Sequence, residues 1–270
     1  MASASEAAHP RTQHSKLYWI FSDYAVLIKR SLTHIIKSPD ELLGTLLQPI
    51  MFTLLFVYVF GGSIDTGNVE YINFLVAGIL VQAVTFGATT TAFKVCNDMQ
   101  KGIIDRFKSL PMLSSAVLTG HITADIVRNF TSAIVMIIVA LLIGFRPEAG
   151  VVEWLMIFGI IGLFTLAVSW LSAIVGLLAK NIEAVQWMAF VVVFPLTFAS
   201  SAFVPTDNMA EGLRVFAENQ PLTQVIEAIR ALMIGQPIGN YGWLAVAWSI
   251  GILAVSFPIA SRMFARKIAR

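Results

Sequence analysis

Six long apolar stretches occupy most of this chain, and its basic residues fall almost entirely on alternate connections between them. The stretches are Leu42–Phe60, Ile72–Phe93, Ile126–Phe145, Trp154–Ala179, Ala184–Val204 and Trp243–Met263, each 19–26 residues long. About 20 helical residues cross a hydrocarbon core of roughly 30 Å. With 57% hydrophobic and 13% charged residues, the composition lies far from that of a water-soluble domain. The expectation is an all-α membrane protein with six transmembrane helices.

Charge placement sets the orientation. The N-terminal segment carries Arg11, Lys16, Lys29, Arg30 and Lys37, and the first connection carries no basic residue. The second holds Lys94, Lys101, Arg106, Lys108 and Arg128; the third holds Arg146 and the fourth Lys180. The fifth holds Arg214 and Arg230, and the tail Arg262, Arg266, Lys267 and Arg270. With both termini inside, fifteen of the eighteen Lys and Arg are cytoplasmic and three are outside. Basic residues are retained in the cytoplasm during insertion, so this asymmetry predicts N and C termini on the inner face of the membrane.

The net charge of +2 therefore gives no reason to expect nucleic acid. The basic residues act as anchors and meet anionic lipid headgroups. A single cysteine, Cys96, excludes an intrachain disulfide framework and a Cys-based zinc site. The first forty residues contain no uninterrupted apolar core of a signal peptide.

Three segments between the spans carry information. Residues 1–15 read as a flexible tail. Residues 16–38 place Tyr18, Phe21, Ala25, Ile28, Leu32 and Ile35 on one helical stripe, with Lys29, Arg30 and Lys37 free to reach water. Such a basic amphipathic helix ahead of a span lies along the membrane surface or packs on other cytoplasmic segments. Residues 39–270 hold the six-span domain.

Asn97–Pro111, in the second connection, is compatible with a short cytoplasmic helix closed by Pro111. Its ridge of Ile103, Ile104, Phe107 and Leu110 suits a partner's groove and equally suits packing on the chain's own helices. In the fifth connection, residues 205–242, Met209, Leu213, Phe216 and Ala217 sit at helical spacing. Gln220-Pro221 breaks the pattern, which Leu222, Val225, Ile226, Ile229, Leu232 and Met233 resume. Neither half is long enough to span, so two short re-entrant helices dipping in from outside are expected. They would close an outer exit or form a surface cap.

Signs of catalysis or of a metal site are missing. The chain has no H-E-x-x-H pair, no G-x-S-x-G elbow and no G-x-x-x-x-G-K-[ST] phosphate loop. Its four histidines, His9, His14, His34 and His121, are expected on the cytoplasmic side. Asp125, Glu153 and Glu183 are expected near span ends, leaving no acidic group deep in the bilayer for a proton-coupled carrier.

Polarity within the spans is uncharged. Each buried Gln or hydroxyl needs a partner in lipid, so it faces another helix or a cavity. Gln48, Gln82, Thr89, Gln186, Thr197 and Ser201 are path candidates on that ground, with Phe52, Phe86 and Phe194 as apolar lining. Packing between helices explains the same residues without a path.

Three further stretches carry a resemblance. They are KGIIDRFKSLP at Lys101–Pro111, FASSAFVP at Phe198–Pro205, and Asn219-Gln220-Pro221-Leu222-Thr223 followed by Glu227-Ala228-Ile229-Arg230 and Gly235. In this order on six spans, they resemble the permease subunits of type-2 ABC exporters, in particular bacterial daunorubicin-resistance-type permeases. The resemblance runs from Leu17 to the C-terminus. Gln220 interrupts the commoner Asn-Pro-Leu-Thr, and Ser201 stands where Gly is frequent.

The resemblance implies a bacterial plasma-membrane exporter built from two permease copies, identical or paralogous, and two cytoplasmic ATPase subunits. ATP and Mg would belong to those subunits, with no cofactor in this chain. Asn97–Leu110 becomes the coupling helix against the ATPase, carried by Asp98, Lys101, Gly102, Ile103, Asp105, Arg106, Phe107 and Leu110. Phe203, Pro205, Asn219, Pro221 and Arg230 become outer-gate candidates, and the cargo an amphiphilic drug, lipid or glycan-type molecule. Two other readings compete: a membrane enzyme acting on a lipid or prenyl carrier, and a non-transporting drug-binding or immunity protein.

Overall fold

A computed structural model describes residues 39–64, 66, 69–101 and 114–269 of the chain. The expected tail 1–15, the interfacial helix 16–38 and residues 102–113 of the second connection lie outside the described residues. Among those described, every regular element is helical. We number the α-helices α1 (Pro39–Leu55), α2 (Tyr71–Gln100), α3 (Ser114–Ile143), α4 (Val151–Leu178), α5 (Ile182–Phe198), α6 (Glu211–Asn219), α7 (Pro221–Met233) and α8 (Tyr241–Ala269). A π-helical turn, Phe56–Phe60, extends α1, and a 3-10 turn, Thr206–Asn208, precedes α6.

Among the described residues, four helices are long and apolar enough to cross a membrane: α2, α3, α4 and α8. At 1.5 Å per residue, the thirty residues of α2 reach about 45 Å. The 17-residue helices α1 and α5 are shorter and equally apolar in character. Pro49 inside α1 cannot donate to the helix ladder, and the Thr53 hydroxyl donates to the Pro49 carbonyl at 2.8 Å. Asn181 caps α5 by accepting from the Ala184 amide at 2.8 Å.

α2 is the central helix. It packs on α1, α3, α4, α5 and α7, and 72% of its most apolar window is buried. A helix apolar on every side belongs in the interior, and α2 carries no polar stripe to turn outward. Small residues let its neighbours approach. A Cβ on Gly78 would lie 2.0 Å from the Ala202 carbonyl oxygen, and one on Gly176 of α4 would lie 2.5 Å from that of Ala92. The larger apolar core gathers around α2, α4 and α7; a second one joins Val95, Leu118, Trp170, Leu177 and Phe264 at the opposite end. Large apolar side chains cover the outside of α1, α4, α5 and α8, a surface suited to lipid rather than water.

Two expectations are corrected. α3 begins at Ser114 rather than Ile126, so Asp125 and Arg128 lie inside a long helix and not on a connection. Both are buried, at 0% and 1% exposure. The pair sits at i, i+3 and is compensated internally, which lets the helix run through two charges. Likewise α5 ends at Phe198, and Ala199–Val204 forms a turn instead of completing a span to Val204.

Candidate functional site

The turn after α5 is where several of the singled-out residues converge, Ser201, Phe203, Pro221 and Arg230 among them. The Ser201 amide donates to the Thr223 hydroxyl oxygen at 3.3 Å, and the Tyr71 hydroxyl donates to the Phe203 carbonyl at 3.0 Å. Gln220 Nε2 donates to the Leu196 carbonyl at 3.0 Å and also to that of Ala199. These bonds satisfy one amide and three carbonyls around the point where the helix breaks, as backbone in an apolar setting requires. Pro221 occupies the first turn of α7, where its missing N–H costs nothing.

Arg230 on α7 is the centre of this arrangement. Its side chain is 5% exposed, and it reaches three elements at once. Nε donates to the Phe74 carbonyl at 2.9 Å, an Nη donates to the Ser201 carbonyl at 2.6 Å, and the other Nη pairs with the Glu227 carboxylate. The guanidinium carbon lies 3.7 Å from the centre of the Phe74 ring. A planar fork with five donors can serve all of these partners; an ammonium cannot.

An aromatic band runs from this turn along the bundle surface. Phe190, Phe194 and Phe198 stack up α5 with centroids 4.9 and 4.3 Å apart. Phe198 meets Phe203 at 5.0 Å, and Phe203 stacks on Phe56 of the π-helical turn at 4.3 Å. Phe52 lies 6.2 Å from Phe203 and Phe60 5.3 Å from Phe56. Phe190, Phe194, Phe198 and Phe60 are exposed, whereas Phe203 is buried.

The path candidates divide into two groups. Gln48, Gln186 and Phe194 are exposed, and Phe52 is half-buried against Phe203. Gln82, Thr197 and Ser201 are buried within the chain, and Phe86 and Thr89 are half-buried. The Thr89 and Thr197 hydroxyls donate to their own helices, to the Phe86 and Val193 carbonyls at 2.6 and 2.7 Å. Of the remaining outer-gate candidates, Pro205 is half-buried, and exposed Asn219 donates to the Val215 carbonyl at 2.8 Å. On α6, the Glu218 carboxylate raises the Arg214 guanidinium above its ordinary pKa, first by its hydrogen bond and then by its charge.

Of the expected coupling residues, Asp98 and Lys101 are described, and Gly102, Ile103, Asp105, Arg106, Phe107 and Leu110 lie outside the described residues. Asp98 pairs with His121 of α3 at 2.9 Å. Deeper on the same interface, Arg128 pairs with Asp125 and donates to the Gly87 carbonyl of α2 at 3.2 Å. Sequence reasoning missed this pair. Its signal was the spacing of Asp125, Arg128, Asn129 and Ser132, which share one helical face.

The profile of the ABC-2 type transporter family matches residues 22–234. The chain belongs to that family. It is 30% identical over 90% of its length to the daunorubicin resistance ABC transporter permease protein DrrB1 of Streptomyces coeruleorubidus, covering 88% of that protein. It is 23% identical over 86% of its length to a probable doxorubicin resistance ABC transporter permease protein of Mycobacterium tuberculosis, covering 84% of it. A putative transport permease of Porphyra purpurea is 27% identical over 79% of the chain and 74% of its own length. The match therefore takes in the central helix, the buried pair on α3 and the Arg230 cluster of this ABC-2 chain. These relatives are named as transport permeases, which agrees with a chain whose sequence carries no phosphate loop.

Proposed function

We propose that this ABC-2 chain is the permease subunit of an ATP-driven exporter of amphiphilic drugs or lipid-like molecules. The observation that carries the proposal is its similarity along most of its length to permeases named for daunorubicin and doxorubicin resistance. Two permease copies form the membrane unit, and two separate ATPase subunits bind ATP and Mg and supply the work. α1 with its π-helical extension runs continuously over Pro39–Phe60, about 33 Å at helical rise, and makes one span. α5, about 26 Å long at helical rise, makes another by itself, which brings the count to six. The distribution of Lys and Arg supports cytoplasmic termini.

In this orientation Asn97–Leu110 faces the ATPase, with Phe107 as the apolar knob of that contact. α6, α7 and the Ser201–Arg230 cluster lie at the outer mouth. The exposed aromatic band on α1 and α5 faces the second copy and the cargo, since it offers flat apolar surface without fixed charge. Gln48 and Gln186 are polar groups on exposed parts of those two helices.

The test is reconstitution with a partner ATPase in liposomes. ATP hydrolysis stimulated by a drug of anthracycline type, and ATP-dependent movement of that drug, support the proposal. Turnover of a lipid by the chain without any ATPase would favour a membrane enzyme instead.

A further inference from the structure

Asp125 and Arg128 have no task in the function just described, yet both are buried between α2 and α3. A buried ion pair is a weak source of stability, because stripping two charges of water offsets their attraction, and apolar replacements of similar volume are often neutral or better. What the pair does supply is direction. Apolar packing between helices in lipid sets their approach, and a guanidinium bonded to a backbone carbonyl adds a directional contact that only one rotation and register allow.

We propose that Asp125 and Arg128 are positioning residues that lock α3 to α2 in one register, so that both carry displacement from residues 102–113 into the bundle as a single lever. Three observations support the lock. Arg128 spans the interface, holding the Gly87 carbonyl of α2 at 3.2 Å and Asp125 of its own helix. At Gly87 the Asn129 side chain of α3 packs directly on the α2 backbone: a Cβ there would lie 2.1 Å from Asn129 Oδ1, so that side chain would have to move. Nearer residues 102–113, His121 and Asp98 form a second polar contact at 2.9 Å between the same helices.

His121, Asp125, Arg128 and Asn129 follow one another at i, i+4, i+7 and i+8, so the polar contacts form one line. From His121 to Arg128 that line extends about 10 Å along α3. A one-turn slip of α3 would withdraw Arg128 from the Gly87 carbonyl and leave a buried guanidinium donor without that acceptor, which an apolar interior disfavours. The lever rests on the reading of Asn97–Leu110 as the segment that meets the ATPase; the lock does not.

The experiment compares the full chain with an Asp125→Leu/Arg128→Met double variant in lipid nanodiscs by hydrogen–deuterium exchange at residues 97–101 and 114–121. The lock predicts about tenfold faster exchange there in the double variant, with the helices otherwise intact. Unchanged exchange overturns it. Should the double variant not assemble, Arg128→Lys keeps a charge beside Asp125 but loses the fork, and the same two outcomes decide.

With an ATPase present, the lever predicts that ATP consumed per molecule moved rises about fivefold in the variant while hydrolysis continues. An unchanged ratio overturns the lever. A wild-type chain that engages no ATPase defeats the exporter proposal, and the exchange comparison still decides the lock.

Discussion

Arg230 of α7 sits over the Phe74 ring of α2 at 3.7 Å and donates to the carbonyl of that same residue at 2.9 Å. One side chain thus grips a neighbouring helix by both ring and backbone, and its third partner, the Ser201 carbonyl, ties in the turn after α5. The short helices α6 and α7 are joined to the long ones through this residue.

Replacing Arg230 by Met would leave the buried Ser201 carbonyl unmet, leave the Phe74 carbonyl with its own helix bond alone, and leave Glu227 without its partner. Removing one member of a buried charged pair typically costs about 3–5 kcal/mol. The expected outcome is a large fall in the apparent melting temperature of the detergent-solubilised protein. Glu227→Gln should cost less, because the Glu227 side chain is 24% exposed and the two carbonyl bonds survive.

Gly78→Ala would drive a methyl group into the Ala202 carbonyl, 2.0 Å away. The turn must shift, at a cost of about 1–3 kcal/mol by the usual scale of overpacking. Gly159→Ala is the control, since nothing lies within 4 Å of its Cβ position. It should be neutral or more stable by up to about 1 kcal/mol. Thermal denaturation of the two variants side by side checks both statements.

The aromatic band separates packing from transport. Phe203→Ala removes a buried ring and should destabilise the chain by about 3–5 kcal/mol. Phe194 is 38% exposed, so Phe194→Ala should leave most of the stability. It should nonetheless alter drug-stimulated ATPase activity, by about tenfold if the ring acts as a contact anchor. Equal effects of Phe194→Ala and wild type on transport would remove α5 from the pathway.

Phe107→Ala removes an apolar knob from the segment proposed to meet the ATPase. Anchors of this kind commonly contribute about 2 kcal/mol or more. Co-purification should show the ATPase lost from the complex, with the melting temperature of the permease unchanged.

Much of the helix layout was legible because apolar length and proline breaks are local signals. Gln220-Pro221 marks the boundary between α6 and α7, and the apolar residues at helical spacing from Leu222 to Met233 are buried, together with nearly every other residue of α7. The end of α5 was not legible. Phe198–Val204 reads as apolar as a span, and the helix stops because Gln220, Thr223 and Arg230, distant in sequence, satisfy the turn's backbone. The start of α3 was missed for a related reason. Charged residues commonly mark helix ends, but Asp125 and Arg128 offset each other inside the bundle. Within the aromatic band, the phenylalanines were visible in the sequence; the stack of Phe56 on Phe203 depends on a fold that spacing alone does not reveal.

The most direct measurement is ATP-dependent flux of a fluorescent amphiphilic drug in proteoliposomes holding the permease, an ATPase, or both. Flux should require both subunits and ATP, and the Phe107→Ala permease should abolish it. Equal flux without the ATPase, or hydrolysis that proceeds identically whether or not the permease is present, would contradict a chain that works as the pathway of a separately powered machine.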